Sequence, residues 1–409
     1  MAYPAGSFTD LREAYLKPYA AQMARIPFYA CPGNHEYYTD VLRPYMRLRR
    51  GPDDTWSYYS VQHGPLHATA SDSNDPVQPD PAVNRMLQWL EHQLAGSTSF
   101  WRVVIFHHPP YTAGLHQGDP FVQLARERLA PLVERYVVPL VLNGHEHLYQ
   151  RTCPVKDGLA APAGAGTTYV ITGGGGAPLY PFTLHPLTAF GESVYEFIKV
   201  KIDGLRMTVT ALDANGLELD RVEIAPRPAL RDVVNAADRR PVLAPGSLAV
   251  VRGFHFPPDW PARLRCDGQV VDVIESSAVS LQFQVPATAG PVLRLQVETP
   301  NGVTDIEAPI DPVAPALFPP DPAHRLAPGT TAAVFATGLG ALNGETPAAA
   351  LELSVGPVLQ SATADPTALP GVFRIGFTVP PVKGRIVAIR LSAAGQWRSE
   401  EHTSELQSH

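Results

Sequence analysis

Three short stretches rich in His and Asn lie within the first 151 residues, and each directly follows an apolar run. They are GNHE at 33–36, FHHPPY at 106–111 and GHEHLYQR at 144–151. In each, a His or Asn stands beside a Gly or Pro, which ends the run and turns the chain. Side chains placed in this way at the ends of neighbouring strands can converge on metal ions. One such stretch alone also fits a turn with a solvated His, so the prediction of a metal site depends on the ordered set.

Residues 1–225 alternate helical and strand patterns, with apolar residues at helical spacing in 81–97 and 121–136. Short apolar runs rich in β-branched residues, typical of buried strands, are WRVVIF at 101–106, VVPLVL at 137–142 and TTYVIT at 167–172. The pattern predicts an α/β layered sheet flanked by helices. Ligands of such sheets bind outside the carboxyl ends of the strands, where the motifs lie.

Composition narrows the class of protein and its partners. The 409 residues include 43 Pro and 32 Gly but only 17% charged residues, which is typical of β-rich, extracellular-type modules. The net charge is −7 and no Lys/Arg run interleaves with aromatic residues, so nucleic acid is not an expected partner. No apolar stretch is long enough to cross a bilayer. The length favours two or three domains.

The sequence changes character near residue 226, where APRPAL is typical of a linker, and an approximate repeat follows. LAPGSLAVVRG at 243–253 resembles LAPGTTAAVFATGLG at 326–340, and each copy precedes an apolar run ending in Val-Pro. Short alternating runs with turn signals predict two all-β immunoglobulin-like sandwich domains, at 231–312 and 313–397. They resemble the paired β-domains appended to many secreted acidobacterial proteins.

The last twelve residues fit neither pattern. Arg398 to Ser408 can be back-translated into a sequence that looks like a common sequencing-adapter oligonucleotide. We therefore interpret Arg398–His409 as an assembly artefact and exclude it from the fold prediction. A natural polar tail is the alternative.

The order and residue types of the three motifs resemble the calcineurin-like metallophosphoesterases, and most closely their purple acid phosphatase branch. That family opens with two acidic motifs, Asp-x-Gly and Gly-Asp-x-x-Tyr, and neither Asp is in this chain. A Gly-Asp placed just before Met1 would bring Tyr3 into register with the Tyr of the second motif. We therefore expect 1–225 to be the catalytic domain of an N-terminally truncated protein, without its first strand or strands.

The resemblance implies two metal ions, iron with zinc, manganese or a second iron. Two ions about 3.5–4 Å apart neutralise a phosphoryl group and lower the pKa of a bound water. The residues that the resemblance assigns as ligands are Asn34, His107 and His145 for the second metal, and Tyr3 and His147 for the first.

Three further His residues are expected to face the substrate. The resemblance places His35 against the phosphate, in a catalytic role, and makes His116 a candidate proton donor to the leaving group. His108 takes the variable position beside His107 and is expected to bind substrate. A solvated loop His is the alternative for His116.

The predicted function is metal-dependent hydrolysis of small phosphate esters, of the acid phosphatase type, by a hydroxide held between two metal ions. Activity of this chain is expected to be impaired, because without the bridging Asp nothing anionic offsets the repulsion between the ions. A phosphodiesterase or nucleotidase on the same site is one alternative. A non-catalytic extracellular binding protein with a degenerate phosphoesterase domain is another. The expected location is secreted or periplasmic. The β-modules are candidates for contact with a cell surface or a polymer.

Overall fold

The computed structural model describes residues 3–39, 57–74, 82–258, 262–319, 327–343, 345–381 and 386–405. The chain divides into two compact units, Met1–Arg227 and Pro228–His409. Residues 406–409 of the predicted tail and Leu326, which opens the second repeat copy, lie outside the described residues.

The first unit has short helices near its N-terminus and two longer helical segments among its strands. The helices are α1 (Phe8–Leu11), α2 (Ala20–Met23), α3 (Asn34–Thr39), α4 (Ala82–Gly96), α5 (Pro120–Leu124) and α6 (Ala130–Arg135), with π-helical turns at Arg12–Leu16 and Ala125–Leu129. The strands are β1 (Tyr59–His63), β2 (Leu66–Ala70), β3 (Trp101–Ile105), β4 (Leu140–Asn143), β5 (Tyr149–Thr152), β6 (Val155–Lys156), β7 (Leu159–Ala160), β8 (Thr168–Thr172), β9 (Thr188–Glu192), β10 (Glu196–Asp203), β11 (Arg206–Asp213) and β12 (Glu218–Ile224).

A mixed seven-stranded sheet, in the order β1-β2-β3-β4-β8-β5-β9, forms the centre of this unit. Strands β2, β3, β4 and β8 are parallel, whereas β1, β5 and β9 pair antiparallel. The three apolar runs singled out in the sequence are β3, β4 and β8, side by side, so the predicted α/β sheet is confirmed. Strands β10–β12 form a separate antiparallel sheet, and β6 pairs with β7.

The helices predicted at 81–97 and 121–136 are confirmed by α4 and by the continuous segment from α5 to α6. Met86, Leu90 and Leu94 recur every four residues on α4, and all three are buried. They share one apolar cluster with strand residues such as Val104 and Val141. Burying each such side chain contributes about 1.5–3 kcal/mol, so this cluster fixes α4 to the sheet that carries the motifs.

The second unit is built from antiparallel strands, consistent with the predicted β-sandwich domains. Its strands are β13 (Ala229–Asn235), β14 (Leu248–Phe254), β15 (Arg263–Cys266), β16 (Gln269–Val271), β17 (Val273–Ser277), β18 (Ser280–Gln284), β19 (Val292–Thr299), β20 (Gly302–Pro309), β21 (Ala316–Leu317), β22 (Thr331–Thr337), β23 (Leu342–Asn343), β24 (Thr346–Pro347), β25 (Leu351–Val355), β26 (Val358–Pro366), β27 (Phe373–Thr378), β28 (Ile386–Ala393) and β29 (Gln396–Glu405). The sheet orders are β13-β14-β18-β17, β16-β15-β19-β20, β21-β22-β27-β26-β25-β28-β29 and β23-β24.

The internal repeat is confirmed by matching backbone hydrogen bonds in its two copies. In the first, Gly246 N–H donates to Val285 O (3.0 Å) and Val285 N–H donates to Ser247 O (2.8 Å). In the second, Gly329 N–H donates to Val379 O (2.8 Å) and Val379 N–H donates to Thr330 O (2.9 Å). Both glycines have positive φ, 73° and 80°, which explains why each copy keeps a Gly at this turn.

Strand β29 continues to Glu405 and pairs with β28 at the edge of its sheet, beyond the domain limit predicted at residue 397. An edge strand pairs through its backbone, so the pairing does not reveal the origin of the segment.

Among the described residues, no helix combines the length and the apolar character that crossing a membrane requires.

Candidate metal centre

The carboxyl ends of β2, β3 and β4 meet at one edge of the sheet, and backbone hydrogen bonds continue past the strand ends there. Ser71 N–H donates to Ile105 O (2.8 Å), Phe106 N–H to Leu142 O (3.1 Å), and Gly144 N–H to His107 O (3.0 Å). These bonds fix the turns after the three strands relative to one another. The residues of FHHPPY and GHEHLYQR are therefore held at this edge by the sheet itself.

Three predicted ligands of the second metal converge there. Asn34 Oδ1 lies 3.0 Å from His107 Nε2, and His145 Nδ1 lies 3.3 Å from the same nitrogen. Donor atoms bound about 2.1 Å from a common cation lie about 3.0–3.4 Å apart in octahedral or tetrahedral coordination. The donor set and its spacing therefore fit one divalent cation.

Two glycines make room for the His107 ring. A Cβ on Gly33 would lie 2.8 Å from His107 Nδ1, and a Cβ on Gly144 would lie 3.2 Å from the same atom. The glycines of GNHE and GHEH thus allow two backbone segments to approach this imidazole closely. Replacing Gly33 by any other residue would displace the His107 ring, because the clash is with the body of the ring.

His145 has a left-handed backbone, with φ of 69°. Glu146 N–H donates to Gly144 O at 2.8 Å, closing a three-residue turn around it. The glycine beside His145 was expected to turn the chain, but His145 itself adopts the left-handed conformation. Such strain costs about 1–3 kcal/mol and is characteristic of functional sites.

Burial keeps these imidazoles neutral, which is the form that binds metal. Desolvation and the neighbouring His rings hold the pKa of His107 well below its ordinary value. Desolvation, together with His116, lowers the pKa of His145 to about 4. Desolvation also lowers the pKa of His147, although the bond to a backbone carbonyl opposes the shift.

Tyr3, His35 and His147 form a second group. The Tyr3 ring lies edge-on to His35 and to His147, with centroids 4.9 Å and 5.2 Å apart. His147 Nδ1–H donates to Pro178 O (2.8 Å), which leaves Nε2 as the nitrogen able to bind a cation. The structure therefore brings together the two residues predicted for the first metal and places His35 beside them.

His116 lies close to both groups. Its ring centroid is 4.4 Å from that of His145 and 5.3 Å from that of Tyr180, which in turn stacks on His147 at 4.1 Å. A continuous chain of side-chain contacts thus runs from Tyr3 to Asn34 through predicted site residues and Tyr180.

Comparison with known families agrees with this geometry. Residues 4–149 match the calcineurin-like phosphoesterase family, a range that holds GNHE, FHHPPY and both His residues of GHEH. The first unit contains a calcineurin-like phosphoesterase domain. The resemblance found in the sequence is thereby confirmed for this part of the chain.

Curated relatives of the phosphoesterase domain include a probable diesterase and several purple acid phosphatases. A probable glycerophosphodiester phosphodiesterase, GpdQ, of Arcobacter nitrofigilis is 28% identical over 130 residues, covering 31% of this chain and 48% of the relative. Purple acid phosphatase 3 of Arabidopsis thaliana is 23% identical over 184 residues, covering 40% and 50%. Probable inactive purple acid phosphatase 1 of Arabidopsis thaliana is 38% identical over 221 residues, covering 46% and 35%. The chain spans about half the length of the first two relatives and about a third of the last.

His108 is buried inside the phosphoesterase domain, whereas a residue that contacts substrate must be accessible. The residue is 0% exposed, its Nδ1 lies 2.8 Å from Ser73 Oγ, and its ring stacks on Phe121 at 4.8 Å. Desolvation lowers its pKa to about 2. The predicted contact of His108 with substrate is therefore revised, because Ser73 and Phe121 hold the ring inside the protein.

Glu146, between the two His residues of GHEH, is a residue of the candidate site that the sequence did not reveal. Its buried carboxylate accepts hydrogen bonds from Thr112 Oγ1, from the backbone N–H of Leu115, and from both the backbone N–H and Nδ1 of His116, at 2.8–3.1 Å. A Cβ on Gly114 would lie 2.2 Å from this carboxyl group, so the loop needs Gly there. A charged residue inside a metal motif was the only available signal.

Tyr180 is the second residue that sequence reasoning missed. Its backbone N–H donates to His147 O (3.0 Å), which holds its ring against His147. Desolvation and nearby Tyr3 raise its pKa, so the phenol stays protonated at neutral pH. Tyr180 lies 29 residues after GHEHLYQR in a Pro-rich loop, where no spacing indicated a role.

Proposed function

We propose that the phosphoesterase domain is a metal-dependent phosphoric ester hydrolase of the acid phosphatase type. The observation that supports this most strongly is the convergence of three donor atoms. Asn34 Oδ1 lies 3.0 Å and His145 Nδ1 lies 3.3 Å from His107 Nε2. These atoms come from segments far apart in sequence, and apolar packing alone gives no reason to gather them.

Two groups of residues would hold the cations. Tyr3 and His147 would hold the first, which the resemblance makes iron. Asn34, His107 and His145 would hold the second, which would be zinc, manganese or a second iron. When bound, the two cations neutralise phosphoryl charge and lower the pKa of water.

The remaining residues would position the ester and supply a proton. His35, edge-on to Tyr3, would donate a hydrogen bond to a phosphoryl oxygen. His116 would give its Nε2 proton to the leaving group while Glu146 holds its Nδ1–H at 3.1 Å. The Glu146 carboxylate would thus fix the orientation of the acid rather than take part in the reaction.

We further propose that this chain is impaired. The donor atoms gathered at the site are imidazole nitrogens, an amide oxygen and a phenol oxygen rather than carboxylates, and the sequence has neither acidic motif that the resemblance implies. Without a bridging carboxylate, two cations about 4 Å apart repel each other strongly in a buried site. Weak metal binding and slow hydrolysis are the expected result.

Two relatives support alternatives. The relative named as a probable glycerophosphodiester phosphodiesterase favours a diesterase on the same site. The relative named as a probable inactive purple acid phosphatase favours a non-catalytic protein, in which the β-rich unit would contact a surface or polymer. In either case we propose immunoglobulin-like modules at 231–312 and 313–397 and a secreted or periplasmic location.

Hydrolysis of p-nitrophenyl phosphate and bis-p-nitrophenyl phosphate with Fe, Mn or Zn would test these proposals. We expect slow, metal-dependent release of p-nitrophenol, faster from the monoester, lost in His107→Ala and kept in His92→Ala, which changes an exposed His outside the site. Faster diester cleavage would favour the diesterase. If calorimetry detects metal binding but neither ester is hydrolysed, the binding protein is favoured. Tight binding of two ions would contradict the proposed impairment.

A further inference from the structure

His108 carries a buried nitrogen that the proposed function leaves unexplained. Its Nε2 is inaccessible and has no hydrogen-bond partner among the described residues. A buried polar atom left in this state costs about 1–3 kcal/mol. Such an atom beside a metal motif therefore needs either a structural or a ligand-based explanation.

The surroundings of His108 fix which nitrogen faces the cluster. Ser73 Oγ accepts the backbone N–H of His108 (3.0 Å) and lies 2.8 Å from Nδ1, while Phe121 stacks on the ring. In the tautomer in which Nδ1–H donates to Ser73 Oγ, Nε2 keeps its lone pair and can bind a cation. This is the arrangement by which a neighbouring oxygen orients a metal-binding imidazole.

Three His residues at the carboxyl edge of the sheet lie close enough to share an ion. His107, His108 and His145 each offer a nitrogen, and the three atoms lie within 4.8 Å of one another. The His108 ring centroid is 4.9 Å from that of His107 and 4.6 Å from that of His145. Because this limit of 4.8 Å exceeds the roughly 3.0–3.4 Å between ligands of one cation, the His108 ring would have to shift toward the ion when it binds.

We propose that His108 is a metal ligand and that this chain binds one divalent transition-metal ion through His107, His108 and His145, with Asn34 Oδ1 beside them. Because this ion occupies the second metal site of the proposed function, the inference rests on that function. It changes the expected ligand set, in which the position after His107 contributes nothing to the metal.

The chemistry of the donors selects the class of cation. Three imidazoles and one amide oxygen favour Zn²⁺, Co²⁺, Ni²⁺ or Cu²⁺ over Mg²⁺ and Ca²⁺, which prefer carboxylates and carbonyl oxygens. A single ion on this set also avoids repulsion from a second ion, which a chain without the bridging carboxylate cannot offset.

A count of coordinated imidazoles in the unaltered, full-length chain would test the proposal without any variant. One equivalent of Cu²⁺ is added, and pulsed electron paramagnetic resonance measures the nitrogen couplings of remote imidazole nitrogens. Three coordinated imidazoles are expected. A count of two would overturn the proposal while leaving the site of Asn34, His107 and His145 in place.

Titration with Co²⁺ tests the residue directly. We expect His108→Ala to weaken binding at least about tenfold, as His107→Ala does, and His92→Ala to leave it unchanged. Circular dichroism confirms that each variant is folded. Binding lost in His107→Ala but unchanged in His108→Ala would overturn this inference alone. No Co²⁺ binding by the unaltered chain would overturn both the inference and the proposed metal site.

Discussion

The carboxyl edge of the first sheet and the strands of the second unit bury very different groups. In β19, buried Leu293, Leu295 and Val297 alternate with outward-facing residues such as exposed Arg294, as a half-buried strand should. At the carboxyl edge the buried groups include an imidazole and a carboxylate, and the His145 backbone is strained. Apolar burial stabilises a fold by itself, whereas polar burial and strain cost free energy that a bound ligand can offset. At the carboxyl edge these costly groups lie together, which indicates where the chain has been shaped for chemistry rather than for stability.

The largest effect is expected in the second unit. Phe283→Ala removes a fully buried ring from an apolar cluster that also contains Leu264 and Leu295. We expect the free energy of unfolding of that unit to fall by about 3–5 kcal/mol, measured by urea denaturation. Co²⁺ affinity should stay within twofold of that of the unaltered chain. A large change in Co²⁺ affinity would contradict the view that the second unit contributes stability and the carboxyl edge of the first sheet contributes chemistry.

A pH effect is expected at Glu196 in the first unit. Desolvation raises its pKa from 4.5 to about 7, although Gly174 N–H and Thr172 Oγ1 donate to it. The unfolded chain loses this proton near pH 4.5 and the folded chain only near pH 7, so stability falls as pH rises through that window. The difference corresponds to about 3 kcal/mol.

Glu196→Gln removes this titration while keeping an acceptor for both donors. Urea denaturation of the two proteins at pH 4.5, 6 and 8 measures the effect. The variant should gain stability relative to the unaltered chain as the pH rises, and parallel curves would show that Glu196 titrates normally.

A smaller effect is expected from one methyl group at the edge of the site. A Cβ on Gly173 would lie 1.8 Å from Glu146 O, whereas a Cβ on Gly175 would meet nothing within 4 Å. We expect Gly173→Ala to lower the free energy of unfolding of the first unit by about 1–3 kcal/mol and to weaken Co²⁺ binding, because the turn carrying His145 and His147 must shift. Gly175→Ala is the matched control, and equal effects of the two changes would contradict the close packing.

The smallest effect is expected from an exposed ion pair. Arg294 Nε and Glu307 Oε1 are 3.1 Å apart with both side chains more than half exposed, so Glu307→Ala should cost less than about 1 kcal/mol. The partly buried, bidentate pair of Arg151 with Asp220 should matter more, and Asp220→Ala serves as the comparison. Equal losses on thermal denaturation would contradict this ranking.

Much of the fold could be predicted because local patterns and packing agree. The runs that became β3, β4 and β8 are apolar and β-branched, and α4 places its apolar residues on one face. The π-helical turn at Ala125–Leu129 could not be predicted, since the buried apolar residues on either side of it fit ordinary α-helical spacing in the sequence. The sequence-defined edges of the two β-modules remain predictions.

The position of a site residue could be predicted where the order of the motifs fixes it, but not where side-chain packing fixes it. The convergence of Asn34, His107 and His145 follows from three motifs at strand ends. FHHPPY does not reveal that His108 is held inside by Phe121, because that contact depends on α5. Tyr180 reaches the site through a loop hydrogen bond that no local pattern encodes.

The most direct test of the central claim is the response of individual imidazole nitrogens to Zn²⁺. Long-range ¹H–¹⁵N spectra of the histidine-labelled chain would be recorded before and after one equivalent of Zn²⁺, with His92 as an internal reference. We predict that His107 Nε2 and His145 Nδ1 shift together to values typical of coordinated nitrogen while His92 stays unchanged. Unchanged signals from His107 and His145 at saturating Zn²⁺ would contradict the existence of a metal centre at this edge of the sheet.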